Sequence, residues 1–525
     1  MTPTGGRDRA GRAGDSGHPD GPSGPGLEAV DGTSAWPAMA RLVRAEWTKF
    51  RSVRGWVWGS VVAALLILVF PATGLGGGPP EHLRPVPVGP DGEPVSAGYY
   101  FVHRALAGDG QITVAVSGLT SQRGADGGSV APWAKAGLLI SAGEQPGARY
   151  AAVMVTGGHG VRMQYDYLHD YAGPAVGVPP SAVRWLRLTR AGDRVTGESS
   201  VDGAQWSEVA AVQLQGLERT AEVGLFVACP ARMEGLGSAV DAATASFGAP
   251  RLVGDWAAGE WSGEQRGADS ASFAGLPREV SAGFAADGDG FTVTGGGDLA
   301  PATRNDLAVA ATPGDLLFGT FPALIVIVVV ATLTMTTEFR YRVIRSTFGV
   351  SPRRGRVLVV KAFVIGGVTF VTSLVAAVVA VPVWLRLVRG LGIFVFPAAP
   401  GALLRAEVGT AAVLAVTAVF ALAVGGVLRR SATAVTVVVV ATVLPHLLAR
   451  VPFLPAGMAR WLTEVTPAAG LAVQQTLVRY PQVDSVYTPA NGYFPLSPAA
   501  GFGVLCAYAG VALALAVVLL RRRDA

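Results

Sequence analysis

The stretch Thr336–Lys361, TTEFRYRVIRSTFGVSPRRGRVLVVK, decides how this chain is read. An apolar run enters it over Leu316–Met335 and another leaves it over Ala362–Leu385. Between them stand Arg340, Arg342, Arg345, Arg353, Arg354, Arg356 and Lys361 against one acid, Glu338. A short basic loop between two apolar spans marks the cytoplasmic side of a membrane. The stretch also carries a helical period, because Phe339, Val343, Ile344 and Phe348 share one face and the arginines take the other. Ser351-Pro352 disfavours helix beyond Gly349. The spacing predicts a short amphipathic helix at the inner membrane surface, where a cytoplasmic partner can push on it. Basic residues of this kind also serve simply to fix topology.

Outward from that loop, the composition agrees. Half of the 525 residues are apolar, and mean hydropathy is +0.41. The apolar residues gather in long runs, as transmembrane helices require. The net charge of +5 is carried by arginine, since Lys49, Lys135 and Lys361 are the chain's only lysines. This basic balance follows from arginines at span ends and implies no nucleic-acid binding. Cys229 and Cys506 make no disulfide framework, because Cys506 lies within an apolar run.

Six spans are expected: 56–75, 316–335, 362–385, 408–428, 432–449 and 499–520. Residues 1–36, rich in Gly, Pro, Asp, Arg and Ser, read as a disordered cytoplasmic tail without a signal peptide. Residues 37–55 read as an amphipathic helix lying in the headgroup layer. Met39, Leu42, Val43, Trp47, Phe50 and Val53 share one arc, and Arg41, Arg44, Lys49 and Arg51 oppose them. Glu46 and Arg54 fall on the apolar side and weaken the pattern. Met458–Val478 reads as a re-entrant or interfacial helix pair broken at Pro467. Roughly seventeen basic residues flank span ends on the side of the Thr336–Lys361 loop and about seven on the other, which puts both termini in the cytoplasm. Arg386, Arg389 and Arg405 run against that bias.

Between the first two spans, residues 76–315 hold no run long enough to cross a bilayer. They show strand-like alternation at Ile112, Val114 and Val116, and again at Val161, Met163, Tyr165 and Tyr167. Further strands are expected at Gly137–Ser141, Tyr150–Val155, Trp185–Thr189, Arg194–Ser199 and Val223–Ala228, with turns at Gly192-Asp193 and Asp202-Gly203. The fold class is therefore a mainly α-helical integral membrane protein with an extracytoplasmic, all-β antiparallel sandwich inserted between helices one and two.

No G-x-x-x-x-G-K-[ST] exists, so the chain has no P-loop of its own. Nor does it contain H-E-x-x-H, C-x-x-C or G-x-S-x-G. His159, Asp166, His169 and Asp170 lie close in sequence but match no ligand spacing, so no metal, cofactor or catalytic residue is assigned. His446 is the main ionisable group within the spans and is expected near the wet outer interface beside Pro445.

The segments RLVRAEWTKFRSVR (41–54), EFRYRVIRSTFGVSPRRGRVLVVKAFV (338–364) and the C-terminal PAAGLAVQQ…PLSPAAGFGVLCAYAGVALALAVVLLRRRDA together resemble ABC-2 type transporter permeases of actinobacteria. The resemblance implies a plasma-membrane exporter subunit, paired with a second permease subunit in a homo- or heterodimer and driven by a separate ABC ATPase. It implies a connecting helix carrying Arg44, Trp47, Lys49 and Phe50. It also implies a coupling helix carrying Glu338, Arg340, Arg342, Arg345 and Phe348; an acid is favoured at a helix N-terminus, so Glu338 is expected to pair with Arg340 or Arg342 or to cap that helix. The insert replaces what is a short loop in many relatives. Its AKAGLLIS (134–141) and WLRLTRAGDRVTGESSVDGAQWSEV (185–209) are similar to concanavalin A-like, laminin G-like sandwiches. That likeness places Asp202 and Gly203 in a hairpin and Trp206 in the sandwich core, with a glycan or the cell wall as a ligand of such domains. The alternative reading is a membrane-anchored glycan-binding or sensor protein that transports nothing.

Overall fold

The computed structural model describes residues 35–71, 84–122, 130–174, 182–234, 237–307, 309–341, 354–451 and 454–522. The expected tail 1–34 lies outside them, as does the segment 342–353 with Arg342, Arg345 and Phe348.

Two bodies are built, a helical bundle and a β domain. In the bundle, α1 (Ala35–Ser52) meets α2 (Arg54–Val69) at a bend of 80°. Val53 breaks the helix by taking extended backbone between them. The remaining helices are α3 (Thr320–Arg340), α4 (Arg354–Gly390), α5 (Pro400–Leu428), α6 (Ser431–Thr442), α7 (Leu444–Ala449), α8 (Ala456–Val465) and α9 (Pro498–Arg522). Among the described residues, five helical stretches are long and apolar enough to cross a membrane, and six if the bent α1–α2 pair is counted as one. The five are α3 with its preceding turn, α4, α5, α6 and α7 taken together, and α9. The spans outrun the apolar stretches that announce them. The run 316–335 continues as helix to Arg340, and the helix of the run 362–385 begins at Arg354. Over the expected first span 56–75, α2 is helix from Arg54 to Val69, and 72–75 lie outside the described residues.

Helix α5 is the bundle's centre and packs against α3, α4, α6 and α9. Its buried face is rich in small residues, among them Thr410, Ala411, Ala418, Ala421, Gly425 and Gly426. Small side chains let helix backbones approach closely where lipid offers no hydrophobic drive for association. The break expected at Pro467 is present: α8 ends at Val465, and a buried 3₁₀ helix runs from Pro467 to Gln474.

The β domain is organised by one long strand, Tyr99–Ser121. Its first half pairs with Thr220–Ala228, and beyond that lie Lys135–Ser141, Tyr150–Thr156, Val161–Tyr165 and His169–Ala172. On the same edge its second half pairs with Arg184–Ala191, then Arg194–Ser200 and Ser207–Gln213. Gly108, at φ +81°, stands where the two sets diverge. The sheets then face each other. Gly197 leaves room for Met163 and Val153 of the opposite sheet. The other edge of the long strand carries Arg251–Trp256, Ser262–Arg266 and Ala243–Phe247. All these pairings are antiparallel, as expected of a sandwich. Ile112, Val114 and Val116 are fully buried between the sheets. The alternation expected from Val161 to Tyr167 stops at Tyr165, because Asp166 and Tyr167 both take positive φ and turn the chain.

A small two-stranded sheet joins the domain's entry, Val95–Ala97, to its exit, Leu299–Pro301. It covers the outer face of the first sheet, so Lys135–Ser141 and Tyr150–Thr156 are buried on both faces. Fully buried Lys135 ties the layers, donating to Asp298 at 2.5 Å and to the Leu299 carbonyl at 2.7 Å. The loop between Gln475 and Ser497 then docks the bundle onto the domain. Gln482 donates to the Leu168 carbonyl, Ser485 bonds Thr303, and Asn491 donates to Asn305.

One glycine tests this packing. A Cβ at Gly137 would lie 2.2 Å from the Val153 carbonyl oxygen of the neighbouring strand. Gly137→Ala is expected to destabilise the β domain by about 1–3 kcal/mol. Limited proteolysis of the full chain checks it: residues 84–310 should be cut faster while the bundle fragment persists.

Candidate functional site

The bundle end away from the β domain holds a cluster of four charged side chains, two of them buried and two half-buried. Glu46 and Lys49 come from α1, Glu338 from the last turn of α3, and Lys361 from the second turn of α4. The Lys361 Nζ donates to Glu46 Oε2 and to Glu338 Oε1, each at 2.7 Å. Lys49 donates to the same Glu338 oxygen. Glu338 and Lys361 are 4% and 6% exposed, so they are cut off from water. Two acids face two ammonium groups, and the cluster is neutral. A lysine suits the position, because a compact ammonium with three donors can serve two carboxylates at once. Breaking such a set strands a charge in a medium of low dielectric.

This geometry corrects two expectations. Among the described residues Glu338 pairs with Lys49 and Lys361 and not with Arg340, and it closes α3 where it was expected to open a separate coupling helix. Its carboxylate has partners inside the bundle, so the helix carries it inward. Glu46 sits on the inward face of α1 because Lys361 meets it there, which explains the acid that seemed to spoil the apolar arc. Of the other residues expected at this end, Phe50 is buried between Trp47 and Trp56, with ring centroids 6.3 and 6.2 Å away. Trp47 and Arg44 are exposed, and Arg340 is exposed beside the Tyr341 ring.

In the β domain, the hairpin residues serve the fold. Asp202 Oδ1 accepts from the Ala204 and Gln205 amides and from Ser200 Oγ, which itself accepts from the Gly203 amide. Gly203 takes φ +73° over the Trp185 ring. Trp206 is not in the sandwich core. It is half-buried on the outer face, with the Arg187 guanidinium 3.7 Å above its ring, because the six-residue loop swings it outside. The histidines and aspartates at 159–170 do not converge. His159 stacks on Trp133 and His169 on Tyr165, while Arg149 holds Asp166 and Arg162 holds Asp170.

Deep in the bundle near its β-domain end, Gln474 donates to Thr320 and Thr410 and joins the 3₁₀ helix to α3 and α5. His446 is buried, contrary to its expected wet position. The chain breaks at Val443 and turns the imidazole between Phe321 and Phe494, with ring centroids 4.6 and 5.9 Å away. Two cavities open between the bundle and the β domain. One of about 780 Å³ is lined by Arg84, Asp306, Arg389 and apolar residues. The other, of about 600 Å³, is lined by Glu93, Arg405, Gln475 and Tyr493 among others.

Neither protein families nor curated proteins give a match to this chain. Among solved structures, a functionally unknown protein from Saccharomyces cerevisiae is 14% identical, with a TM-score of 0.22, over 33% of this chain and 83% of its own. Scytalido-glutamic peptidase bound to a transition state analog inhibitor is 8% identical, with a TM-score of 0.26, over 38% of this chain and 98% of its own. Likeness this loose carries no argument about function.

Two outcomes follow from the geometry. Lys361→Ala leaves two carboxylates to one ammonium and is expected to cost about 3–5 kcal/mol. The pair Lys361→Met with Glu338→Gln restores neutrality and should recover most of that loss. Thermal unfolding in mild detergent measures both, and equal losses would refute the buried network. In the outer hairpin, the amide donors of Gln205 and Ala204 and the Ser200 hydroxyl hold the Asp202 carboxyl at about 2, below its ordinary 3.8. A depressed carboxyl stabilises above its unfolded value and loses that contribution as pH falls through its folded one. Amide exchange at Ala204 and Gln205 should therefore stay slow at pH 4 and accelerate toward pH 2, and Asp202→Ala should abolish the protection at both.

Proposed function

We propose that the chain is the membrane-spanning permease subunit of an ABC-2 type transporter, an exporter powered by a separate ATPase. The observation that carries this reading is the clamp of Glu46, Lys49, Glu338 and Lys361. It fastens an amphipathic helix, bent 80° from its span, to the ends of two further spans. A push on α1, or on the basic segment between α3 and α4, moves both spans together, because the buried charges cannot separate cheaply. The chain lacks a P-loop, so the energy has to arrive from another subunit. Exposed Arg44, Trp47 and Arg340 lie beside the clamp and present themselves to such a partner. In this reading the clamp end is cytoplasmic, in line with its excess of arginine, and the β domain stands outside. A second permease subunit completes the transporter.

Affinity purification of the tagged chain from its own membrane tests the proposal. An ATPase with a P-loop is expected to co-purify and to be lost when Arg345→Glu and Phe348→Ala are combined. Its repeated absence from folded, monodisperse preparations would refute the transporter reading in favour of a membrane-anchored surface-binding protein.

A further inference from the structure

Arg84 and Arg389 line the larger cavity from opposite bodies, one at the start of the β domain and one in the last turn of α4. Neither makes an ion pair or side-chain hydrogen bond among the described residues. Asp306 is the only acid on the lining, and its Oδ2 already accepts from the Thr303 amide and hydroxyl. The cavity is therefore positive, with an apolar floor that includes Leu307, Ile393 and Phe394. Below its mouth α4 leaves a stripe of Val375, Val379 and Val383 exposed, and Arg386 continues that stripe at helical spacing. Arg386 and Arg389 are two of the three arginines that stand against the charge bias of the chain. Unpaired guanidinium groups at the top of a lipid-facing apolar stripe match one kind of molecule, with a phosphate above and hydrocarbon below.

We propose that this cavity holds the phosphodiester head of an anionic phospholipid whose acyl chains lie along the exposed stripe of α4. The lipid bridges the two bodies, with Arg84 reaching its phosphate from the β domain and Arg389 from the bundle. This goes beyond the transporter reading and requires only that α4 crosses a bilayer.

The full chain, purified in mild detergent, is offered equal amounts of phosphatidylglycerol and phosphatidylcholine with identical acyl chains. Bound lipid is counted by native mass spectrometry. Phosphatidylcholine carries the same phosphodiester but adds a quaternary ammonium that the two guanidinium groups repel, so phosphatidylglycerol should be retained at least about tenfold over phosphatidylcholine. Arg84→Gln with Arg389→Gln should remove the preference, and each single change should give an intermediate one, which keeps the test open if the double variant does not fold. Arg521→Gln with Arg522→Gln, at the other end of the bundle, should leave it intact. Equal retention of the two lipids, or loss of preference in both double variants alike, would overturn the proposal. So would full competition by glycerol 3-phosphate, which would make the site one for a free phosphate ester. Recovery of an ATPase enters none of these outcomes, so this idea and the transporter reading fail separately.

Discussion

Four charges gathered where three helices meet, Glu338 and Lys361 fully out of water, are the constraint on which the bundle's geometry rests. Each of Glu46, Lys49, Glu338 and Lys361 would be costly alone in that setting, and together they cancel. The network fixes the rotation of α1 about its axis, because only one face carries Glu46 and Lys49 one turn apart. It also fixes where α3 ends and α4 begins, since Glu338 and Lys361 must arrive at the same depth. Apolar contacts tolerate sliding of one helix on another. A shared ammonium between two carboxylates does not.

The β domain solves the same problem of alignment by different means. Its two sheets grow from one edge of a single strand, so neither can shift without the other. Where polar groups are buried, they again join distant parts: Lys135 fastens the small sheet to the large one, and Gln474 fastens the 3₁₀ helix to two spans. All three lysines of the chain are spent in ion pairs, while arginines crowd the surfaces.

Much of this was legible in the sequence because it is written in local period. The apolar runs marked the spans, and alternation at Ile112, Val114 and Val116 marked a strand buried on schedule. What escaped was pairing between residues far apart. Glu46 looked like a flaw in an amphipathic arc because its partner lies 315 residues away. Glu338 looked like part of a basic loop, although its lysines stand on two other helices. Trp206 reads as core only through the likeness of its hairpin to laminin G-like sandwiches, and the loop that carries it outward has no strong signature. His446 was misplaced because a break beside Pro445 does not reveal which way the helix turns after it.

The entry and exit of the β domain, Val95–Ala97 and Leu299–Pro301, are hydrogen-bonded neighbours. Some two hundred residues thus leave the bundle and return to it at nearly one point. A segment with such a narrow footprint behaves as a cassette: it can be gained, lost or exchanged in evolution without changing the distance the chain must bridge between α2 and α3. The helical bundle and the β domain are in this sense separately heritable, joined along the chain at one narrow seam and fastened besides by the 475–497 loop.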